Sequence, residues 1–340
     1  MPDNGSRGPR AATIYDVARM AGVSHQTVSR FLTGTGGIRP QNRVRVEEAL
    51  RALNYRTNMT ARSLATKRTY RLGALGYELS GTGPSKTMQG ASDAARRNGY
   101  TLDIVSLDPF SYAELTEALD VLSRHDLEGI LATAPTDSVD GALRELTLPV
   151  PILVVRGADF SDVIDRGEMP DAGPYAAMTH LIELGHRRIA HLAGPDQWRS
   201  ARERVSAYEY ALDHAGLERL PVAHGDWSAR SGHAAAAQLF ATPGITAVFA
   251  ANDRMALGLM LWLHQNGFRI PDDVSVVGFD DVAEAECFHP PLTTVRQDFD
   301  AIGRAAAKTL ISMIESPGEQ AAAEYPLPRL VVRESTAPPR

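Results

Sequence analysis

Gln26 and Arg30 stand about one helical turn apart in the stretch VSHQTVSRFL, residues 23–32. Both side chains suit base edges, since a Gln amide pairs bidentately with adenine and an Arg guanidinium with the O6 and N7 of guanine. His25 lies beside them, and Ser24, Thr27 and Ser29 add short hydroxyls suited to phosphate oxygens. A second set lies far along the chain. Arg204 offers a donor fork, Asp280 an acceptor pair, and Trp227 a flat indole for the C–H face of a pyranose. Asn252, Asp280, Gln297 and Phe299 each stand at or just past the end of an apolar run. Taken singly, these polar residues are better explained by capping or surface ion pairs. Taken together they suggest a sugar.

The first set needs two short helices and a tight turn. Thr13 precedes Ile14, Tyr15 and Asp16, which places a hydroxyl N-cap three residues ahead of a carboxylate and predicts a helix from Ile14 to Ala21. Gly22 supplies the turn, and Ser24 can cap a second helix beginning at His25. Val28 and Leu32 share one face of that helix, and Ile14, Val17, Ala18, Ala21 and Val23 can complete a small core with them. A third helix opening at Pro40 closes this core with Val46, Ala49, Leu50 and Leu53. The unit is a helix-turn-helix, whose second helix lies in the major groove.

Charge points the same way. Residues 1–69 carry 12 Lys plus Arg and 4 Asp plus Glu, a net of +8, while the rest of the chain nets −14. A basic head on an acidic body suits a polyanion partner, although a solvated basic surface would give the same segregation.

The second set needs sheets. From Tyr70 onward, RLGALGYEL, YTLDIVSLD, LEGILATA, PILVVRG, RIAHLAG, ITAVFAAN and DVSVVGFDD each read as a buried strand followed by a loop and a helix-like segment. That alternation predicts parallel sheets covered by helices on both faces, with too many strands for a single half. Ligands of such sheets bind beyond the carboxyl ends of the strands, where two halves can face each other across a cleft.

Other chemistries find no support. The single cysteine, Cys287, allows no internal disulfide and no cysteine-rich metal site. GTGPSKTMQG has glycines and a lysine without P-loop spacing, His186 and His191 do not form a metal signature, and no nucleophile is paired with a base. No cofactor, metal or catalytic residue is expected. No apolar run is long enough to span a bilayer, and the N-terminus lacks the apolar core of a secretory signal, so a cytoplasmic protein is expected.

The segment TIYDVARMAGVSHQTVSRFLTG strongly resembles the N-terminal motif of the LacI/GalR family of transcriptional regulators, and NYRTNMTARSLATKRT looks like that family's hinge. The resemblance implies DNA contacts from Thr13, Tyr15, Ser24, His25, Gln26, Thr27, Ser29 and Arg30, and from Asn58, Ala61 and Leu64 in the hinge. Leu64 would wedge into the minor groove at the operator centre, a known way to kink DNA. Asn58 can cap MTARSLA, which is too short to be a stable helix alone in water, so its folding would be coupled to binding.

Residues 70–336 resemble the periplasmic-binding-protein-like ligand domain of the same family, with LAGPDQWRSARERVSAY, GDWSARSG, ANDRMALG, VSVVGFDD and PPLTTVRQDF carrying the likeness. It implies that Arg204, Trp227, Asn252, Asp280, Gln297 and Phe299 match inducer-contacting positions. Gly83 and Pro84 would stand near the pocket mouth in the loop YELSGTGPS. Arg156, in PILVVRG, occupies the position expected to carry a sugar-binding aspartate. The implied layout is a disordered segment 1–12, an all-α helix-turn-helix head at 13–57 and a hinge at 58–69. The body would have two doubly wound parallel-sheet subdomains, 70–168 with 297–326 and 169–296 with 327–340, the chain crossing near Glu168, Arg296 and Leu327.

The expected function is a homodimeric repressor of a palindromic double-stranded DNA operator, released by a sugar effector such as a galactoside or oligosaccharide. A phosphorylated sugar, or a corepressor that strengthens DNA binding, stays open, as Arg156 would suit a phosphate. The C-terminal sequence PRLVVRESTAPPR lacks the leucine heptads of a dimer of dimers.

Overall fold

The computed structural model describes residues 12–33, 37–55, 63, 68–108, 111–124, 126–145, 148–156, 173–318 and 324–340. The chain divides into two units, Met1–Thr69 and Tyr70–Arg340. Asn58, Ala61, Leu64, Glu168 and the N-terminal segment expected to be disordered lie outside the described residues, save Ala12.

In the first unit, α1 (Ile14–Ala21), α2 (His25–Thr33) and α3 (Pro40–Ala52) enclose a core of Val17, Ala18, Ala21, Val28, Val46 and Ala49. The Thr13 backbone N–H donates to Asp16 Oδ2 at 2.9 Å while the Thr13 hydroxyl accepts from the Asp16 N–H, a capping box that starts α1. Gly22 ends it at φ 61°, the left-handed conformation that glycine adopts without a Cβ penalty. Arg45 of α3 donates to the carbonyls of Ala21 and Gly22 at 2.8 and 2.7 Å, satisfying orphan acceptors at that helix end.

The described residues of the second unit form two sheets. The first is fully parallel, in the order β2 (Thr101–Leu107), β1 (Arg71–Tyr77), β3 (Gly129–Thr133), β4 (Ile152–Val155). The second runs β10 (Arg329–Val331), β9 (Thr293–Arg296), β8 (Ser275–Asp280), β7 (Ala247–Ala250), β5 (Ile189–Ala193), β6 (Ala223–His224). All its pairings are parallel except β10 with β9. The α-helices among the described residues are α4 (Thr82–Arg97), α5 (Tyr112–Ser123), α6 (Asp137–Glu145), α7 (Gly173–Glu183), α8 (Arg199–His214), α9 (Ala229–Leu239), α10 (Asp253–Gln265) and α11 (Phe299–Glu315).

Besides the antiparallel β10, where parallel sheets were expected, two details differ from the sequence reading. YTLDIVSLD is not a buried strand: β2 is an edge strand on which Thr101, Ile104 and Ser106 are exposed. The expected loop YELSGTGPS becomes helical at Thr82, with Gly83 and Pro84 in the first turn of α4, where proline's missing N–H has no helical partner to lose.

The chain leaves β9 of the second sheet and enters α11, whose Ala306, Ala307, Leu310 and Ile311 join the core formed by β1, β3 and α4. A Cβ on Gly303 would meet the Thr87 carbonyl oxygen at 1.9 Å, and one on Gly90 the Asp300 carbonyl oxygen at 2.1 Å. Only glycine permits this approach of α4 and α11. The chain then returns through residues 324–328 to β10 beside β9.

Candidate nucleic-acid interface and ligand cleft

On α2, Val28 is buried while Ser24, His25, Gln26, Ser29 and Arg30 are exposed and Thr27 is half-buried. The helix therefore presents one polar face, the division needed to pack on α1 and α3 while offering donors and acceptors outward. Ser24 accepts from the Thr27 N–H at 3.2 Å and caps the helix. Tyr15 of α1, exposed, stands with its ring 5.2 Å from that of His25 and extends the same surface.

In the body, the ends of β8, β7 and β9 bring most of the second set together. Arg204, in the second turn of α8, is buried, donates to the Ala251 carbonyl at 2.5 Å, and has its central carbon 4.0 Å from the Phe279 ring centroid. It also lies 5.4 Å from the Trp227 ring. Its Nη2 is 3.8 Å from Asp280 Oδ1, and that same oxygen accepts from Gln297 Nε2 at 3.0 Å. Burial pushes the Asp280 carboxyl above its ordinary range, against the opposing pull of Arg204.

The backbone is unusual where these groups meet. Asp280 has φ 110°, Asp281 φ 54° and Trp227 φ 70°, conformations costly for side-chain-bearing residues. The Arg296 and Arg333 guanidiniums bind the two Asp281 oxygens and hold that turn. The Trp227 six-membered ring fills the space over Gly194, its Nε1 is buried without a hydrogen-bond partner, and Trp198 packs on it nearly perpendicular at 6.0 Å.

Asn252 is committed to structure at both ends of its amide. Its Oδ1 caps α10 by accepting from the Met255 N–H at 2.8 Å, and its Nδ2 donates to the Trp227 carbonyl at 3.1 Å. Phe299 opens α11, its ring edge 2.9 Å from where a Cβ on Gly83 would stand, so these two residues share one wall. Pro84 packs beside Gly81 in the same turn.

Arg156 joins a different cluster. Its Nε donates to Asp140 Oδ1 at 2.7 Å, and Asp140 also accepts from Arg144. The Arg156 hydrogen bond is the main reason the Asp140 carboxyl is held below its ordinary range.

Sequence reasoning missed Asp140, Trp198 and Phe279, none of which stands at a telling spacing. Asp253 follows Asn252 and opens α10. That residue is buried, accepts from the Val282 N–H at 2.8 Å and the Thr294 hydroxyl at 2.5 Å, and is pushed up to about 8 by burial, with Asp280 adding to the shift. Among the described residues no group of three or more His, Cys, Asp or Glu could hold a metal ion, and no helix is long and apolar enough to cross a membrane.

Comparison with known proteins agrees with this layout. Residues 13–58 match the description "bacterial regulatory proteins, lacI family", and residues 178–336 match a periplasmic binding protein-like domain. The lactose operon repressor of Escherichia coli is 33% identical over 97% of this chain and 92% of its own length. The HTH-type transcriptional repressor PurR of Vibrio campbellii is 32% identical over 95% of this chain and 98% of its own. A crystal structure of the lac repressor dimer bound to operator and the anti-inducer ONPF superimposes with a TM-score of 0.80 at 31% identity, covering 96% of this chain and 100% of that one.

Proposed function

Because the chain belongs to the lacI family of bacterial regulatory proteins and is a DNA-binding transcriptional repressor of that family, we propose that it acts as a homodimer on a palindromic operator and is released by a neutral sugar, a galactoside or oligosaccharide, bound in the cleft of its body. Two copies related by a two-fold axis place two α2 helices on half-sites of matching symmetry. The lac repressor relative, a dimer on its operator, supports this arrangement. Gln26 and Arg30 read bases, with His25 beside them, while Thr13, Tyr15, Ser24, Thr27 and Ser29 position the head on phosphates. Asn58, Ala61 and Leu64 form the DNA contacts of the hinge.

One observation carries the sugar reading: a buried guanidinium, Arg204, and a half-buried carboxylate, Asp280, meet beside the Trp227 indole. A fixed donor and acceptor next to an apolar plane suit adjacent hydroxyls on a pyranose. Gln297, Asn252, Phe299, Gly83 and Pro84 complete the lining. Arg156 has its charge offset by Asp140, which favours a neutral ligand over a phosphorylated one. Residues 70–168 with 297–326 and residues 169–296 with 327–340 are the halves between which the ligand sits.

The test has two steps. A panel of neutral sugars, their phosphate esters and purines is screened by thermal shift, where a ligand at a hundred times its dissociation constant stabilises by about 2.7 kcal/mol. Each binder is then added to the protein on an operator selected from random duplexes. Release by a neutral sugar is the expected result. Release only by a phosphate ester, or tighter DNA binding with any binder, overturns the corresponding part of the proposal.

A further inference from the structure

The two halves of the body touch directly. Thr136 and Trp198 form an isolated antiparallel bridge, and the Arg199 N–H donates to the Pro135 carbonyl at 2.9 Å. Beside this bridge Arg199 Nη2 meets Asp137 Oδ1 at 3.0 Å, and Arg202 binds the other Asp137 oxygen. Asp140 Oδ2 stands 3.7 Å from Arg199. Val139 and Leu143 anchor α6 in the core of the four-stranded sheet, and Tyr208, Ala211 and Leu212 anchor α8 in that of the six-stranded sheet. The contact therefore spans the two halves.

Local sequence rules alone do not account for α8. Arg199 and Arg202 stand in its first turn, where positive charge opposes the helix dipole, there is no acidic residue there, and the N-cap residue Trp198 makes no side-chain capping bond. A conflict of this kind calls for compensation from elsewhere in the fold. It comes from α6, whose own first turn carries Asp137 and Asp140 and so serves two helix N-termini at once. Trp198, the residue that makes the bridge, is buried, and its ring is the one packed against Trp227.

We propose that Asp137 is a positioning residue of the ligand site: it latches α6 to the first turn of α8 across the cleft and thereby holds Trp198 against Trp227. The aromatic wall of the site is then set by a carboxylate from the opposite half, and relative movement of the halves is transmitted to the indoles. The significance for ligand binding rests on the reading of Trp227 as part of that site, whereas the latch itself does not.

The experiment is acrylamide quenching of tryptophan fluorescence in full-length protein without ligand. Trp262→Phe leaves Trp198 and Trp227 as the only fluorophores among the three tryptophans of the chain. Partly exposed ion pairs each bias an equilibrium by a factor of roughly 1.4 to 5, so Asp137→Ala should raise the quenching constant about twofold or more and Asp137→Glu should restore it. The unmutated latch should loosen in 1 M salt, where the Debye length falls to about 3 Å, and this arm decides the matter if Asp137→Ala fails to fold. Quenching that stays at the parent value in Asp137→Ala with native circular dichroism, or in high salt when that variant does not fold, overturns the proposal. Failure of every sugar to bind would count against the sugar reading alone, because no ligand enters this measurement.

Discussion

Arg204 and Asp280 meet with Nη2 3.8 Å from Oδ1, and the guanidinium lies against the Phe279 ring while the carboxylate is tied to Gln297. Both groups are largely removed from water. Burial draws the guanidinium down and the carboxyl up, and in each case the charge of the partner opposes the shift.

Asp280→Asn keeps the size of the side chain and an oxygen for Gln297 but removes the charge that faces Arg204. The variant should still bind operator DNA and should no longer be released by sugar, as read by an electrophoretic shift with and without ligand. Asn252→Ala should behave likewise but with about 1 kcal/mol lower stability from the lost cap. A variant that fails to bind operator in the absence of sugar would show that its residue is structural.

Asp253 gives a pH dependence of definite sign. Its folded value of about 8 lies above the ordinary aspartate value of about 3.9, so folding takes up a proton between those limits. Its contribution to stability is complete below the unfolded value and is lost as pH rises toward 8. Urea midpoints should fall between pH 5 and pH 8, and Asp253→Asn should flatten that decline. An equal slope in the variant would mean that another group takes up the proton.

Gly303→Ala should separate α11 from α4, because the new methyl would stand 1.9 Å from the Thr87 carbonyl oxygen. Overpacking of this kind costs about 1 to 3 kcal/mol, visible as a lower thermal midpoint. A Gly303→Ala midpoint equal to that of the parent would show that the helices part without cost.

Arg30→Ala should lose about 1 to 3 kcal/mol of operator binding and relax preference at one base pair in each half-site. Thr13→Ala, by removing the α1 cap, should instead destabilise the head by about 1 kcal/mol without altering which base is preferred. Equal weakening of Arg30→Ala on every sequence would assign that residue to phosphate.

The head was legible in the sequence because its determinants are local. Thr13 and Asp16 meet within one turn, Gly22 needs only its own φ, and Val17, Ala21 and Val28 share a core spanning a short stretch of chain. Seven strands of the body, β1 to β5, β7 and β8, could be read in the same way, as short apolar runs with turns between them, whereas β6, β9 and β10 were not. Side-chain composition did not reveal that β2 lies at a sheet edge or that β10 runs antiparallel, since order and direction depend on how the chain crosses between sheets. The candidate site was legible as residue types at strand ends, but not as a geometry. Only the tertiary structure decided that Asn252 caps a helix and that Arg156 turns to Asp140, where a buried carboxylate offsets its charge. Asp137 and Arg199 are 62 residues apart, on helices that pack against different sheets, so no periodicity in the chain could have joined them. Local hydrogen bonds and hydrophobic spacing determine elements one at a time; the withdrawal of Arg204 and Asp280 from water beside each other arises only when α8 packs against the end of β8.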